Sequence, residues 1–265
     1  MINFKLKSID DVLSVGTEDN PRMSWFWLTD AELWLKLGDF TIFEYTKEAQ
    51  DYYDHKESPY NDYPLVRFIE DFTEMFDKIA ESIPDHYYNL VQEINEFLSE
   101  AQCWLDKNDT DGEDFNNFYF DKYDKLIAWV YKRCLSSGHL IGGPFIYFFR
   151  NKDKITIVWE TEHQLESGIR LWSASNGSIE IDYLSFVQKV NDFGTQFFTA
   201  MDKQVELALD KDWGNIEIDK IRLVDEHQER KADFDKRLKL LIEESDDKTN
   251  WVEVDRLYQE MKKEI

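Results

Sequence analysis

Carboxylates recur at helical spacing in the stretch of chain that follows residue 64. Intervals of four, three and four residues separate Glu70, Glu74, Asp77 and Glu81. In an α-helix, which rises about 5.4 Å per turn, these intervals place side chains along one side. The same spacing returns further along in Glu93, Glu96 and Glu100. These seven carboxylates are the residues of the chain whose type and spacing are most suggestive of a function.

Two interpretations of such a row stay open. Like charges at this spacing destabilise a helix by roughly 0.2–0.5 kcal/mol per pair, which an ordinary solvated surface tolerates. The other interpretation is a face that docks against the basic groove of a partner protein. Complementary charge between two proteins raises their rate of association and the specificity of binding more than it raises their final affinity. We therefore predict the seven carboxylates as partner-binding residues.

The acidic charge of the chain is concentrated in one segment. Between Glu44 and Asp124 there are 22 Asp and Glu against six Lys and Arg, a net of −16 out of −24 for the whole chain. The segment also holds 17 aromatic residues, whereas acidic stretches that stay disordered are poor in aromatics. It is therefore expected to fold and to present a negative field, which attracts basic proteins and repels nucleic acid and anionic membranes.

Motifs for catalysis or metal binding are absent from the sequence, so we predict neither a metal nor a cofactor. There is no HExxH, GxSxG, phosphate loop or GxGxxG. The histidines show no metal-ligand spacing with one another or with the two cysteines, Cys103 and Cys134. These histidines are His55, His86, His139, His163 and His227.

Two local motifs resemble functional ones and fail on inspection. Asp109 to Gly112 resembles part of a calcium loop, but Lys107 and Phe118 stand where that loop needs carboxylates. Ser245 to Lys248 matches SxxK, but it lies in a charged turn between two predicted helices. A helix-connecting turn is the better interpretation of both.

The elements that would position these residues alternate between strand and helix. Strand patterns are followed by helical ones, then by strands again from Phe145 and by helices from Tyr183. Hairpin turns are predicted at Gly38-Asp39, at 151–153 and at Asn176-Gly177. Helices are predicted over about 65–83, 85–104, 115–135, 183–201, 219–244 and 250–263.

This order predicts an α+β fold: a mainly antiparallel sheet with helices packed on one face, and a C-terminal helical hairpin. We divide the chain into an α+β domain over 1–215 and the hairpin over 216–265. The N-terminal residues lack the apolar stretch of a signal peptide, and no apolar run is long enough to cross a bilayer. With only two, widely spaced cysteines, reduced thiols are expected, and the protein is predicted to be cytoplasmic.

Several single residues carry structural predictions. Asp62 is expected to cap the helix that begins after Tyr63, and Arg67 to pair with a carboxylate of the sheet. Trp34 is assigned to the core, while Trp25 is left open between core and interface. The Gly142-Gly143 pair allows close backbone approach, so it is either a structural turn, the favoured interpretation, or part of an oxyanion site.

Some of these residues also carry a resemblance. The segments Trp25-Phe26-x-Leu28-Thr29-Asp30, then Tyr60-x-Asp62-Tyr63 leading to Arg67, and Gly142-Gly143-Pro144 with the hairpin ending at Trp159 resemble the bacterial family of unknown function 5984. The similarity extends over about Phe4 to Met201. The chain departs from the family pattern at 31–33 and at Ile146-Tyr147. Family members resemble small acidic cytosolic proteins encoded beside polymorphic toxins, which implies an immunity role by association.

Three functions are therefore considered. The first is an immunity-type inhibitor that binds a basic toxin domain, such as a nuclease, without binding nucleic acid or membrane itself. The second is a nucleic-acid mimic that inhibits a DNA-binding protein. The third is an enzyme with a site near Trp25 and Gly142-Gly143, which would need a deep pocket lined by convergent polar groups.

Overall fold

A computed structural model describes residues 1–54, 58–108, 118–138, 140, 142–243 and 248–265. These residues form an α+β fold, as predicted. The strands are β1 (Ile2–Leu6), β2 (Val15–Thr17), β3 (Asn20–Met23), β4 (Asp30–Leu37), β5 (Phe40–Ile42), β6 (Asn61–Pro64), β7 (Cys134–Ser136), β8 (Phe145–Asn151), β9 (Lys154–Glu160), β10 (Gly177–Asp182) and β11 (Glu217–Ile218). The helices are α1 (Lys47–Tyr52), α2 (Leu65–Glu74), α3 (Phe76–Ala80), α4 (Asp85–Tyr88), α5 (Ile94–Asn108), α6 (Phe118–Tyr131), α7 (Tyr183–Asp210), α8 (Lys220–Leu240) and α9 (Trp251–Glu264).

The described strands form three sheets that are mainly antiparallel, as predicted. The first sheet has the order β1-β4-β5, with β6 also paired to β4. The second has the order β10-β9-β8-β7. The third is small, with the order β11-β3-β2, and it contains one parallel pair, β11 with β3.

Helices cover both faces of the second sheet, whereas the sequence predicted helices on one face. On one face Phe148 packs against Phe72 of α2 and Phe186 of α7, with ring centroids 5.2 and 5.9 Å away. On the other face Phe149 packs against Trp129 of α6 at 5.5 Å. Strands β8 and β9 are therefore buried on both sides. Their near-continuous apolar sequences, without polar alternation, are typical of such strands.

Two of the predicted hairpins are confirmed and the third is wrong. Leu37 pairs with Phe40 across Gly38-Asp39, and Gly38 has a φ of +60°, which suits glycine. Strands β8 and β9 join through Lys152-Asp153. The Asn176-Gly177 turn does not join two neighbouring strands, because β10 pairs back with β9 instead. The side chain of Asn176 accepts the Thr161 backbone N–H at 2.7 Å, which holds the chain for that pairing.

The predicted helix over 65–83 is interrupted at Met75. Its two parts, α2 and α3, allow both Phe72 and Phe76 to enter the core, with ring centroids 5.0 Å apart. The second predicted helix is likewise a short helix, a 3₁₀ turn and α5. The third, α6, ends at Tyr131, and Cys134 lies in β7 rather than in a helix.

The helices of the C-terminal half begin at side-chain caps, which explains why their starts could be predicted. The carboxylate of Asp182 accepts the Ser185 N–H at 2.8 Å, and that of Asp219 accepts the Arg222 N–H at 3.0 Å. Asn250 caps α9 in the same way. Such caps satisfy backbone donors that have no partner inside the helix.

The two C-terminal helices pack on different parts of the fold. Helix α8 lies against α7, α2 and α3, where Leu223 and Phe234 join the core on the first face of the second sheet. Helix α9 lies against α6 and α5, where Val254, Leu257 and Met261 join the core on the other face. Each helix therefore completes one of the two hydrophobic clusters.

The close packing of α7 against α8 can be tested by a substitution at Gly194. A Cβ at Gly194 would lie 2.0 Å from the ring of Phe234. A Gly→Ala change inside a helix ordinarily stabilises by about 1 kcal/mol. Here we expect Gly194→Ala to lower the free energy of unfolding by roughly 1–3 kcal/mol, because the rings must shift to avoid overpacking. Unfolding in denaturant measures this change in the free energy of unfolding.

The matched control is Thr195→Ala, at the exposed neighbouring position of α7. It is expected to leave stability unchanged or slightly raised. Combining Gly194→Ala with Phe234→Leu should recover part of the loss. A stabilising Gly194→Ala variant would contradict the close packing of the two helices.

Candidate protein-binding surface

Glu70 lies on α2 and is engaged within the protein. Its carboxylate accepts a hydrogen bond from the guanidinium of Arg230 on α8 at 2.5 Å. Arg230 in turn lies over the ring of Trp25, 4.7 Å from its centroid, and pairs with Glu226. Glu70 therefore helps to hold α8 on the body of the protein while remaining half-exposed.

Glu81 is not part of an outward row, because the chain leaves the helix at this residue. Its side chain is 8% exposed and accepts hydrogen bonds from Arg133 at 2.5 Å, from Thr249 at 2.6 and 2.9 Å and from Trp251 at 3.0 Å. Burial alone would raise the pKa of Glu81, but the Thr249 hydrogen bonds and the Arg133 charge bring it below its usual value. Glu81 is an internal anchor that joins α3, α6 and α9.

Glu100 follows the same pattern, since its carboxylate pairs with the ammonium group of Lys262 on α9 at 2.5 Å. Glu74, Glu93 and Glu96 are exposed and form no ion pair with any residue that the structure describes. Asp77 is half-buried, 3.5 Å from Lys78. The seven predicted carboxylates thus divide into three that hold C-terminal helices and four that face outward.

Two of the outward residues line a cleft where α2 and α3 meet the end of α6 and strand β7. The cleft has a volume of about 570 Å³. We call it the acidic cleft, and its lining residues are Asp71, Glu74, Met75, Asp77, Lys78, Tyr131, Lys132, Cys134, Leu135 and Ser136. Asp71 and Tyr131 are not among the predicted partner-binding residues, because the approach of α6 to α2 is a tertiary feature that spacing along the chain does not reveal.

The acidic cleft combines three carboxylates with an exposed aromatic ring and two lysines, of which Lys78 is buried beside Asp77. Tyr131 is 47% exposed, and Asp71, Glu74 and Asp77 come from α2 and α3. Carboxylates form charge-assisted hydrogen bonds with Arg and Lys, and an aromatic face attracts the same cations by a few tenths to about 2 kcal/mol. The arrangement is therefore suited to a basic side chain presented by another protein.

Two groups at or near the acidic cleft, the thiol of Cys134 and the carboxyl of Glu160, have raised pKa values. Burial raises the pKa of the Cys134 thiol to about 12 and raises that of Glu160 above its usual range. A reactive cysteine needs a lowered pKa, so Cys134 is protonated and inert at neutral pH. Glu160 also forms a hydrogen bond with the side chain of Asn95 at the start of α5.

Trp25 is buried and belongs to a hydrogen-bonded chain with His227 and Asp202. Its indole N–H donates to Nδ1 of His227 at 3.1 Å, and Nε2 of His227 lies 2.7 Å from Asp202. Because an indole N–H can only donate, Nδ1 carries no proton and Nε2–H donates to Asp202. That hydrogen bond lowers the pKa of Asp202. Within the described residues no hydroxyl or thiol hydrogen-bonds to His227, so the group positions α8.

The two parts of the hypothetical enzyme site do not converge in the structure. A cleft of about 470 Å³ borders Trp25, and its Arg22 and Glu217 pair with each other at 3.2 Å. The Gly142-Gly143 pair instead lies against His163 and Ser137. The Gly143 N–H donates to the Leu140 carbonyl, and a Cβ at Gly143 would lie 1.9 Å from the Ser137 oxygen. The pair is a structural turn, which was the favoured interpretation.

The predictions for two charged residues, Asp62 and Arg67, are wrong. Asp62 does not cap α2, whose N-cap is Pro64. Instead Asp62 and Asp30 both accept hydrogen bonds from Lys7, at 2.5 and 2.8 Å. Arg67 is exposed and lies over the Phe26 ring at 5.4 Å, rather than pairing with a carboxylate of the sheet.

The other predicted motif residues stabilise local packing. Trp34, which was assigned to the core, is instead half-buried at the surface of the sheet; it stacks on Tyr60 with centroids 4.2 Å apart. Tyr63 is buried. The Pro144 carbonyl accepts the Ser137 N–H at 3.1 Å, and the indole N–H of Trp159 donates to the Ser175 carbonyl at 2.8 Å. Their contacts are those of a structural framework.

The residues of this framework lie within a match to a known family. A model of a family of unknown function matches residues 1–257. The chain belongs to that family, DUF5984. The match extends beyond the predicted limit at Met201 and takes in α8 and half of α9. Neither the curated proteins nor the solved structures contain a match to the chain.

A few sequence observations lie outside the described residues. They include Asp109 to Gly112, Ser245 to Asp247, and the side chains of His55 and His139. Among the residues that the structure does describe, no cluster of three or more His, Cys, Asp or Glu is placed to hold a metal ion. None of the described helices is long and apolar enough to span a bilayer.

The two kinds of carboxylate should respond differently to neutralisation. We expect Glu81→Gln to lower the free energy of unfolding at pH 7 by about 3 kcal/mol, because it leaves the buried Arg133 without its counter-charge. Glu74→Gln, the matched control on the surface, should change it by less than about 0.5 kcal/mol. Urea unfolding of both variants checks this.

The pH dependence follows from the lowered pKa of Glu81. A carboxyl with a depressed folded-state pKa stabilises the protein above its unfolded-state pKa, about 4.3 for Glu. The contribution is lost as the pH falls through the folded-state value. The difference between wild type and Glu81→Gln should therefore shrink below about pH 4. A difference that is constant from pH 7 to pH 3 would contradict the ion pair.

Proposed function

We propose that this protein is an immunity-type inhibitor, a cytoplasmic protein that binds a basic toxin domain and blocks it stoichiometrically. The supporting observation is the acidic cleft, which places three carboxylates beside the exposed ring of Tyr131. Glu93, just before α5, and Glu96, in its first turn, are exposed as well and add to the negative charge of the surface. Membership of DUF5984 is compatible with the proposal and adds no chemistry of its own.

A nuclease is the class of toxin that suits this surface best. Nucleases hold phosphates with Lys and Arg, so their active-site grooves are basic. A carboxylate-lined cleft would take one of these basic side chains and exclude the nucleic acid. The net charge of −24 would speed the encounter by electrostatic steering, most strongly at low ionic strength.

Tyr131 is the side chain that we expect to contribute most per residue. Aromatic residues are enriched among interface residues that carry most of the binding free energy, and charged rim residues contribute less. The ring is already exposed at the end of α6 and needs no rearrangement of the backbone to meet a partner. The carboxylates around it would set orientation and specificity.

The alternative of a nucleic-acid mimic has less support than the sequence suggested. A mimic needs negative charges spaced regularly along a surface, as phosphates are. In this fold α2 and α3 are separate, Glu81 is buried, and Glu70 and Glu100 are paired with bases of the C-terminal helices. Of the remaining carboxylates, Glu74 and Asp77 lie together with Asp71 in the acidic cleft, and such a local group favours one cognate partner over a series of DNA-binding proteins.

The proposal is tested with the C-terminal domain of the protein encoded immediately upstream, which the proposal expects to be a basic toxin domain; an upstream gene that encodes no such domain would count against it. We expect that Glu74→Lys, and separately Tyr131→Ala, weakens its binding by at least about tenfold, equivalent to 1.4 kcal/mol. The matched control is Glu229→Lys, an identical charge change at an exposed position of α8. Isothermal titration calorimetry at low and physiological salt measures the affinities.

Equal losses in Glu74→Lys and Glu229→Lys would show that net charge, rather than the acidic cleft, governs binding. Unchanged affinity in both cleft variants would remove the cleft from the interface. Inhibition of several unrelated DNA-binding proteins by the wild type would support mimicry instead.

A further inference from the structure

The acidic cleft lies at a terminal strand of the second sheet. In the order β10-β9-β8-β7, strand β7 stands at the end, and among the described strands it pairs with β8 alone. All three residues of β7, Cys134 to Ser136, line the acidic cleft, and Ser136 is exposed. A terminal strand presents backbone N–H and C=O groups to which a further strand can be added.

The hydrogen bonds between β7 and β8 show which backbone groups face the cleft. The Arg133 carbonyl accepts an N–H of β8 at 2.9 Å, and the Ser137 N–H donates to the carbonyl just before β8 at 3.1 Å. In an antiparallel pair, residues that exchange hydrogen bonds with the partner strand alternate with residues that do not. The backbone groups of Arg133, Leu135 and Ser137 therefore point toward β8. Those of Cys134 and Ser136 point away from it.

The outward backbone groups of β7 are available to another chain. Within the described part of the protein, no group hydrogen-bonds to the backbone N–H or C=O of Cys134 or Ser136. Neighbouring strands in a sheet lie about 4.7–4.9 Å apart, so a strand added at this edge would run along the acidic cleft. The two residues offer it two donors and two acceptors.

The two sides of the acidic cleft would contact alternate side chains of an added strand. Helices α2 and α3, which carry Glu74 and Asp77, lie on the face of the sheet formed by Phe148. Helix α6, which carries Tyr131, lies on the opposite face. Successive side chains of a strand point to opposite faces. Every second residue of the added strand would therefore meet the carboxylates, and the residues between them would lie toward Tyr131.

Charge favours a basic strand over a second copy of this chain. The described lining holds Asp71, Glu74 and Asp77 against Lys78 and Lys132, and the whole chain carries −24. Two copies that met edge to edge at β7 would bring two sets of carboxylates together, and like charges on adjacent strands are destabilising. Lys or Arg at every second position of a partner strand would instead meet opposite charge.

We propose that an extended, basic segment of the partner adds to β7 as a fifth strand of the second sheet. Its main chain pairs with Cys134 and Ser136, its Lys or Arg side chains meet Glu74 and Asp77, and the intervening side chains lie toward Tyr131. In strand addition, main-chain hydrogen bonds supply affinity and alternate side chains supply specificity. This inference rests on the function proposed above, because it states how the acidic cleft would hold the toxin domain.

The probe is the peptide Lys-Val-Lys-Val-Lys, blocked at its C-terminus and fluorescently labelled at its N-terminus, with the full wild-type chain. Fluorescence anisotropy at low salt compares it with two analogues, N-methylated at the valines or at the lysines. N-methylation removes main-chain donors and leaves the charge unchanged. Because the donors of successive strand residues point to opposite sides, one analogue should bind at least about fivefold more weakly, as expected for lost hydrogen bonds. The other should bind as the parent does.

A substitution in the protein tests the same hydrogen bonds from the other side. Ser136→Pro removes an outward N–H without removing a hydrogen bond to β8, and proline is tolerated on edge strands in this orientation. It should weaken binding of the peptide by at least about fivefold, whereas Ser136→Ala, the matched control, should bind as the wild type does. Should Ser136→Pro fail to fold, the methylated analogues decide, since they leave the protein unchanged.

Glu74→Lys separates this inference from the proposed function. Equal binding of the parent peptide and both analogues, or equal loss in both analogues, would overturn strand addition. If Glu74→Lys still weakened peptide binding and Glu229→Lys did not, the acidic cleft would remain the binding site. Undetectable binding of the parent peptide would also overturn the inference, while calorimetry with the upstream domain tests the proposed function independently.

Discussion

The buried ion pair between Arg133 and Glu81 is the interaction on which the rest of the fold depends. The guanidinium of Arg133 is fully buried between the end of α6 and the start of β7. A buried charge is tolerated only when it is paired and hydrogen-bonded, so one carboxylate has to leave the surface to meet it. Glu81 does so because α3 ends at Ala80. The same carboxylate then accepts hydrogen bonds from Thr249 and Trp251, which fixes the start of α9.

The carboxylates of the acidic segment, residues 44–124, therefore have two roles. Its inner carboxylates hold the basic residues of the C-terminal helices, with Glu70 on Arg230 of α8 and Glu100 on Lys262 of α9. These exposed or half-exposed pairs contribute little stability individually, about 0–1 kcal/mol each. Their importance lies in orientation, because each brings a separate helix onto one of the two core clusters. Only the carboxylates left over, Glu74 among them, are available to a partner.

Local signals were enough to predict the α+β class, the hairpin at Gly38-Asp39 and the starts of α7, α8 and α9, since turn residues and caps act within a few residues. Strand pairing and side-chain burial depend on tertiary contacts, so they could not be predicted from these local signals. Asn176-Gly177 has the composition of a turn, yet the strand that starts at Gly177 pairs with β9. Spacing placed Glu81 beside Glu74, but only the position of Arg133 reveals that Glu81 is buried. The apolar runs of β8 and β9 did hold the information that both faces of the sheet are covered.

The acidic cleft is also supported by the packing behind it. Asp71, which lines the cleft, borders a small gap of about 10 Å³, room for about one water molecule. Around that gap the side chains of Leu33, Phe43 and Phe68 are 3% exposed or less. Closely packed side chains of this kind resist deformation. The backbone that carries Asp71 is therefore held from behind, and we expect the cleft to meet a partner without a large rearrangement.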